Sequence, residues 1–351
     1  MLTELRLLEF RCFQQLSLEI ESLTNVFVGD NAQGKTSILE AICILQRLHS
    51  PRAKSMRSML RFEASQMGVA GCHDDVDLYV SYGRGKAHLK VDGENTEKQS
   101  EYLQSSGLVV WMGNDDIDLI RGSGSTRRRY LDFLCSQIDP SYRSALSRYR
   151  RALKARNVLL KERSDRASEL RAYAELLITH GDYITQVRQQ TVESLAPIVG
   201  LAQAAVSDRD EPVELVYQSG CNHNMRDAIE NSRESEIRQR QCVVGPHRDD
   251  VVIHLNGMPA NEFASEGQQR TLAVALKLAQ GDLIQKKLQR SPMYLLDDVF
   301  GELDPGRRQA LMAYLPEHAQ KFITTTHIDW MQGDCSTWAK FRVDAGSVHT
   351  L

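Results

Sequence analysis

Thr24-Asn25-Val26-Phe27-Val28, then Gly29-Asp30-Asn31-Ala32-Gln33-Gly34-Lys35-Thr36, then Ser37-Ile38-Leu39-Glu40-Ala41-Ile42, is the stretch that decides the fold. The short apolar run before Gly29 reads as a strand, bounded by a turn residue. From Thr36 to Leu48, apolar residues at Ile38, Leu39, Ile42, Leu45 and Leu48 follow a helical stripe. Between them lies GxxxxGK[ST], a string that also recurs in unrelated glycine-rich turns, and its strand-loop-helix setting is what separates the two readings. In that setting the glycines let backbone N–H groups turn inward toward phosphate oxygens, and the helix N-terminus adds its positive end. Lys35 would reach the β and γ phosphates, and Thr36 would ligate Mg2+. The whole loop, Gly29, Asp30, Asn31, Ala32, Gln33, Gly34, Lys35 and Thr36, is therefore the candidate nucleotide cradle.

A second element stands far along the chain. Met293-Tyr294-Leu295-Leu296-Asp297-Asp298 is an apolar strand ending in two carboxylates, as expected where a metal ion sits at the carboxyl edge of a nucleotide-binding strand. Asp297 would hold the ion through water. Asp298, facing differently because successive strand residues alternate, would be the general base that orients the attacking water. On its own such a pair is also an ordinary capped turn; together with the glycine loop it reads as part of one site.

Around these two anchors the chain reads as α/β. Leu16, Leu18 and Ile20 alternate with polar neighbours, 76–91 reads as a hairpin through Gly83-Arg84-Gly85-Lys86, and Leu108–Met112 as a further strand. From about Asp116 the period turns helical. Ser141–Glu162 and Arg166–Val206 read as long helical segments, the second broken near Gly181 and Pro197. A strand at Val213–Tyr217, a polar helix near 224–240 and a tight turn at Asn256-Gly257 follow. Gly267–Leu288 then reads as a helix and Phe322–Thr325 as a strand. The expected division is residues 1–115 and 211–351 as two parts of one head, with 116–210 an inserted, mainly helical lobe.

That lobe is basic within an acidic protein. The chain has 351 residues and a formal net charge of −3, yet Arg121–Arg171 holds 14 Lys and Arg against 5 Asp and Glu. A solvated helix face is the plain reading; phosphate contact by Arg127, Arg128, Arg129, Arg150, Arg151 and Lys154 is the reading the surplus favours. Composition is that of an ordinary globular protein, with 42% hydrophobic and 25% charged residues. The seven cysteines are scattered without a CxxC pair, which suggests neither a disulfide framework nor a zinc site and fits a reducing cytoplasm. No uncharged apolar run reaches the roughly 18 residues of a membrane span, and the N-terminus lacks a signal-peptide pattern. A cytoplasmic location is expected.

Ser265-Glu266-Gly267-Gln268-Gln269-Arg270, opening the helix TLAVALKLAQ, has a plain reading as an N-cap. Its place before the Asp pair makes it resemble the signature motif of ABC-type ATPases. Glu302-Leu303-Asp304 then resembles that family's D-loop, and His327, after FITTT, stands at its switch-histidine position. More than 200 positions separate Thr36 from Ser265, far more than in transporter subunits, and this resembles the SMC-like group. The short lobe without a CxxC hook, with LRLLEFRCF, GDNAQGKTSILEAI, IRGSGSTRRRYLDFL, GPHRDD, SEGQQRTLAVALKLAQ and LLDDVFGELD, is similar to the RecF family across nearly the whole chain.

The resemblance implies an ABC-type α/β head with mixed sheets and a helical second lobe. It also implies a slow, DNA-stimulated ATPase using ATP and Mg2+, and ATP-dependent homodimerisation on DNA at single-strand/double-strand junctions. RecR and RecO would be partners, with RecA loaded as the outcome. Ser265, Gly267, Gln268 and Asp304 would complete the nucleotide site of a second subunit, and His327 would act beside Asp298 and Lys35. In this group an arginine after the first strand commonly contacts nucleotide; Arg11 takes that role or is an exposed strand-end charge. His247 and Arg248 of GPHRDD belong to the functional surface or pair with Asp249 and Asp250. At WMGNDDIDLI, Gly113 stands where the family usually has Pro-Glu-Asp, so no Q-loop residue is assigned. An ABC ATPase subunit energising a transporter or another protein machine is the alternative. An ordinary P-loop kinase lacks the signature-like and D-loop-like strings.

Overall fold

The computed structural model describes residues 1–53, 55–162, 166–207, 209–221, 224–331 and 335–351. The chain forms two compact units, one of Met1–Asp115 with Ile284–Leu351 and the other of Asp116–Leu283.

In the first unit, β1 (Glu4–Phe10) and β2 (Phe13–Glu19) form a hairpin, and β3 (Thr24–Val28) leads into α1 (Lys35–Arg47). Then come β4 (Gln66–His73), β5 (Val76–Gly83), β6 (Lys86–Val91), β7 (Glu94–Asn95), α2 (Gln99–Gln104) and β8 (Val109–Gly113). The β5–β6 turn is the tight one expected, with Arg84 and Gly85 at φ 49° and 77°. Strands β2-β1-β4-β5-β6-β7 make one antiparallel sheet. Alternation in β1 and β2 buries Leu5, Leu7, Leu16 and Leu18, and Phe10 and Phe13 are buried at the turn end, out of phase with them after Glu9 at φ 48°.

The second unit opens with α3 (Asp118–Arg121), α4 (Gly124–Ile138), α5 (Pro140–Glu162) and α6 (Ala167–Ser207). It continues with β9 (Val213–Gln218), α7 (Met225–Asn231), α8 (Arg233–Gln239), β10 (Asp250–Leu255), β11 (Met258–Pro259) and α9 (Ala260–Phe263). The cut between units falls inside α10 (Glu266–Leu288). Asn256 and Gly257, at φ 53° and 76°, make the expected tight turn between β10 and β11. The break expected near Gly181 and Pro197 is absent: α6 runs unbroken for 41 residues with Pro197 inside it. Gly181 sits at a packing point, where an added Cβ would lie 3.4 Å from Met225 and Tyr149. Val192, Leu195, Val199 and Ala202 stay buried on both sides of Pro197, so the packed face outweighs one lost backbone donor. The polar helix expected near 224–240 is two short ones, α7 and α8. Residues 211–283, expected with the head, belong to this unit, where β9 pairs with β10 and α6 packs on β9.

Returning to the first unit, β12 (Met293–Asp297), α11 (Pro305–Tyr314), β13 (Lys321–Thr325), β14 (Ala339–Asp344) and β15 (Ser347–Thr350) complete the chain. The second sheet runs β15-β14-β3-β13-β12-β8, parallel from β14 to β8. Helix α1 packs on strands of both sheets and is buried nearly all round, which is why its apolar content exceeds a single stripe. Two of its polar side chains bond within the core. Gln46 accepts from Gly107 N–H at 2.5 Å, and Glu40 binds Arg11.

Candidate nucleotide-binding site

Because β3, β13 and β12 are parallel neighbours, their carboxyl ends bring Gly29, Thr325 and Asp297 to one edge of the sheet, where ligands bind in open α/β sheets. The loop leaving β3 can close only with its glycines. A Cβ on Gly29 would stand 2.2 Å from the Val343 carbonyl oxygen; on Gly34, at φ 112°, it would meet Cys12 Sγ at 2.6 Å. Gln33 is tied to the β14–β15 turn through Ala345 N–H at 2.6 Å. Asp30, Asn31 and Ala32 are exposed at the crest, and Ala32 holds φ 65°, a left-handed conformation that costs a non-glycine residue about 1 kcal/mol.

Lys35 Nζ donates to the carbonyls of Gly29 at 2.6 Å and Asp30 at 2.7 Å. Burial lowers its pKa, against the pull of Asp298, Asp297 and Asp30. Thr36 Oγ1 and Thr324 Oγ1 both donate to Asp297 Oδ1, at 2.7 and 2.8 Å, joining the glycine loop, β13 and β12 in one contact. Burial raises the Asp297 pKa, opposed by the two hydroxyls and by Arg52 and Lys35. Asp298 lies beyond the strand at φ 55°, its N–H on Thr324 Oγ1 at 2.9 Å. Strand alternation was expected to turn its side chain; the left-handed turn after β12 does so instead. Its pKa is raised by burial, with Lys35 pulling it down and Asp297 and Glu302 pushing it up. Asp298 Oδ1 is buried without a hydrogen-bond partner among the described residues.

The remaining head residues divide. Arg11, at the β1–β2 turn, binds the fully buried Glu40 through Nε and Nη2 at 2.7 and 2.8 Å and Ser58 O through Nη1 at 2.9 Å. It is therefore not a loose strand-end charge, and any nucleotide contact would compete with that pair. His327 is exposed; its carbonyl accepts from Thr325 Oγ1 at 2.8 Å. Thr325 Oγ1 in turn accepts from Trp330 Nε1 at 3.1 Å, and Trp330 stacks on Phe300 with centroids 4.1 Å apart. This stack links the segment after Asp298 to the segment after His327, and the sequence reading missed it because Phe300, though inside LLDDVFGELD, had no assigned role and Trp330 lies outside the quoted strings. Asp304 caps α11, accepting from Arg307 N–H at 3.0 Å ahead of Pro305.

In the second unit Ser265 and Gln268 form a capping box: Ser265 Oγ accepts from Gln268 N–H at 3.3 Å, and Gln268 Oε1 from Ser265 N–H at 2.9 Å. Gln268 Nε2 also donates to Glu211 at 2.8 Å, and Gly267 O accepts from Thr271 at 2.9 Å. Ser265 is exposed. Of the basic residues, Arg129, Arg150, Arg151 and Lys154 are exposed. Arg127 is not: it forks onto Asp250 at 2.7 and 2.9 Å and donates to Leu119 O and Gly122 O, so its guanidinium is spent on the fold. Arg128 donates to Asp249 O at 2.6 Å. Asp249 and Asp250, one of the two readings for which was pairing with His247 and Arg248, pair with Arg188 and Arg127.

The RecF/RecN/SMC N terminal domain model matches residues 1–348. "DNA replication and repair protein RecF" of Natranaerobius thermophilus is 31% identical over 379 residues, covering 100% of this chain and 98% of its own. The protein of the same name from Streptococcus equi subsp. zooepidemicus is 34% identical over 362 residues, covering 98% and 97%. Among solved structures, the recombination mediator protein RecF-ATP in the RecFOR pathway superposes with a TM-score of 0.90 at 30% identity, over 100% of this chain and 97% of that one. An Smc head bound to the C-winged helix domain of ScpA matches at 0.57 and 16% identity, over 100% of this chain and 96% of that one, which speaks for the fold alone. The fold is that of an ABC-type ATPase head, and the chain belongs to the RecF/RecN/SMC family.

Proposed function

We propose that this chain is an ATP-dependent DNA-binding protein of recombinational gap repair. On this reading it dimerises on ATP and acts at single-strand/double-strand junctions with RecR and RecO to promote RecA loading in the cytoplasm. The observation that carries it is the meeting of Lys35, Thr36, Asp297 and Asp298 at one sheet edge in a chain similar over its full length to RecF relatives. The same sheet-edge site would serve a transporter ATPase subunit; similarity to RecF relatives over the full length of the chain is what favours the repair reading.

The residues fit a nucleotide with Mg2+: a hydroxyl and a carboxylate already in contact, a lysine on loop carbonyls, and a second carboxylate with an unused buried oxygen. The metal would neutralise charge on the phosphates. Lys35, its charge held in a desolvated place, would exchange two carbonyl acceptors for phosphate oxygens. Thr36 and Asp297 would hold the ion. Asp298, made more basic by burial, would accept a proton from the attacking water through the oxygen that lacks a partner. Ser265, Gly267, Gln268 and Asp304 would serve the site of a second copy, His327 would lie beside the reacting phosphate, and exposed cations of 116–210 would meet DNA.

The test is ATP turnover and ATP-dependent retention on gapped DNA by the purified chain. Lys35→Ala should cut turnover by at least about 100-fold with the fold intact by circular dichroism. Unchanged turnover in that variant, or ATP-independent retention of the wild type, refutes the reading.

A further inference from the structure

Helices α4 and α5 present two matched stripes to one cleft. Ser125, Arg128, Arg129 and Asp132 come from α4; Leu146, Tyr149, Arg150 and Leu153 from α5. Each set has helical i, i+3, i+4, i+7 spacing. Arg188 of α6 and Pro246-His247 complete the wall of a cavity of about 400 Å³.

The cleft is built and rigid. Arg188 is only 2% exposed and fixed on all sides: Nε on Tyr142 OH at 2.9 Å, Nη1 on Pro246 O at 2.6 Å and Asp249 at 2.7 Å, Nη2 on Asp132 at 2.7 Å. Asp132 also accepts from Tyr142 at 2.5 Å and from Arg150 at 2.7 Å, so its charge is offset by two guanidinium groups. Asp249 accepts in addition from Gly220 N–H at 2.7 Å and from Tyr217 OH. His247 is held between Tyr149 OH at 2.8 Å and Cys242 O at 3.1 Å, a pattern that suits the neutral ring, so it adds no charge. Four guanidinium groups against the carboxylates of Asp132 and Asp249 leave a surplus of two positive charges. Among the described residues, Arg128, Arg129 and Arg150 each spend one N–H donor on protein, at 2.6, 3.4 and 2.7 Å. The other donors of each guanidinium fork remain for an anion.

We propose that this cleft seats the terminal phosphate monoester of a nucleic-acid strand. Two surplus charges match a phosphomonoester, which carries up to two negative charges and three strong acceptor oxygens. A phosphodiester within a duplex carries one and is flanked by sugars on both sides, so it matches neither the surplus charge nor the three free oxygens. Guanidinium forks suit the fixed oxygen geometry of a phosphate. The pocket rests on the reading of the basic lobe as a DNA-binding surface and goes beyond it by naming the group recognised and where it goes.

The experiment uses the full chain with a non-hydrolysable ATP analogue at saturation, so that the glycine loop is filled. Fluorescence anisotropy compares a junction whose recessed strand ends in a 5′-phosphate, a 3′-phosphate or a hydroxyl, with closed circular duplex as competitor and inorganic phosphate as a separate arm. Wild type should prefer a phosphorylated end at least about tenfold, the worth of one charge-assisted hydrogen bond. Arg129→Gln, a change at an exposed residue that leaves folding intact, and Arg150→Gln should each shrink that ratio. Equal affinity for both kinds of end, with salt-dependent binding of circular duplex retained, overturns the pocket and leaves the broad surface standing. End preference without circular-duplex binding supports the pocket and removes the broad surface. A ratio that survives both substitutions, or protection by inorganic phosphate with no end preference, overturns the proposal.

Discussion

Thr36 Oγ1 donates to Asp297 Oδ1 at 2.7 Å across 261 positions of sequence, and Thr324 donates to the same oxygen at 2.8 Å. One oxygen thus gathers the glycine loop and two adjacent strands. An amide oxygen could accept both bonds, so Asp297→Asn should preserve this geometry while removing the charge. The Asp297 pKa is raised by burial in the folded state. A raised carboxyl pKa stabilises the fold below the unfolded value and loses that contribution as pH rises through the folded value, so at neutral pH the ionised group is a cost. Asp297→Asn should therefore raise the Tm of the nucleotide-free protein by about 2 °C near pH 7, with the gain shrinking as pH falls. It should abolish Mg2+-dependent ATP turnover. A lower Tm with normal turnover would contradict both halves.

Asp298→Asn should separate binding from chemistry. The amide can occupy the same left-handed turn, which Asn tolerates, but it cannot take a proton from water. Turnover should fall by about 100-fold or more while ATP affinity holds, and an ATP-bound dimer should accumulate in light scattering. Asp is shorter than the glutamate usual in ABC enzymes, so wild-type turnover should itself be slow. A rate matching a fast transporter ATPase would count against Asp298 as base.

What the sequence made legible follows from where physics is local. The glycine loop, α1 and β12 announced themselves because a strand, a turn with forced φ and a buried helix each need a narrow choice of residues. The tight turns at Arg84-Gly85 and Asn256-Gly257 were visible for the same reason. The unbroken α6 was not, since Gly181 and Pro197 read as breakers until their packed neighbours are known. Strands β1, β4, β14 and β15 went unread: β4 buries Met67, Gly68 and Val69 in succession, β15 is a four-residue edge strand, and charged residues interrupt β1 and β14. Within the site, the bond of Arg11 to Glu40 and the stack of Trp330 on Phe300 depend on side chains meeting in space, which no spacing rule supplies. Pairing of Asp249 and Asp250 with His247 and Arg248 was one of two readings left open, and their partners Arg188 and Arg127 lie too far along the chain for either reading to name.

Ser265 carries two roles that substitution can divide. Its hydroxyl accepts from Gln268 N–H in a capping box at the start of α10. Ser265→Ala should cost about 1 kcal/mol of stability through the lost cap. If the residue also completes the site of a second copy, Ser265→Arg should block ATP-dependent dimerisation while monomer ATP binding stays intact, measured by light scattering and nucleotide titration. Normal dimerisation of Ser265→Arg with ATP would reduce the residue to its capping role.

The exposed cations of α5 test the broad DNA surface, Arg150 being the one of the three that also lines the α4–α5 cleft. Arg151 donates only to Ser147 Oγ at 3.3 Å, Lys154 is exposed, and Arg150 adds its bond to Asp132. Each cation that neutralises a phosphate releases condensed counterion, so log affinity for duplex DNA falls with log salt by about 0.9 per contact. Replacing Arg150, Arg151 and Lys154 together by Ala should weaken duplex binding across all sequences and flatten the slope by up to about 2.7 if all three touch phosphate. Base preference should not move, because phosphate contacts carry no sequence information. Loss of the Arg150 bond leaves Asp132 with Tyr142 and Arg188, so the fold should hold and circular dichroism should match wild type. Wild-type affinity and slope in the triple variant would make this charge a solvated face and move the DNA contact elsewhere on the chain.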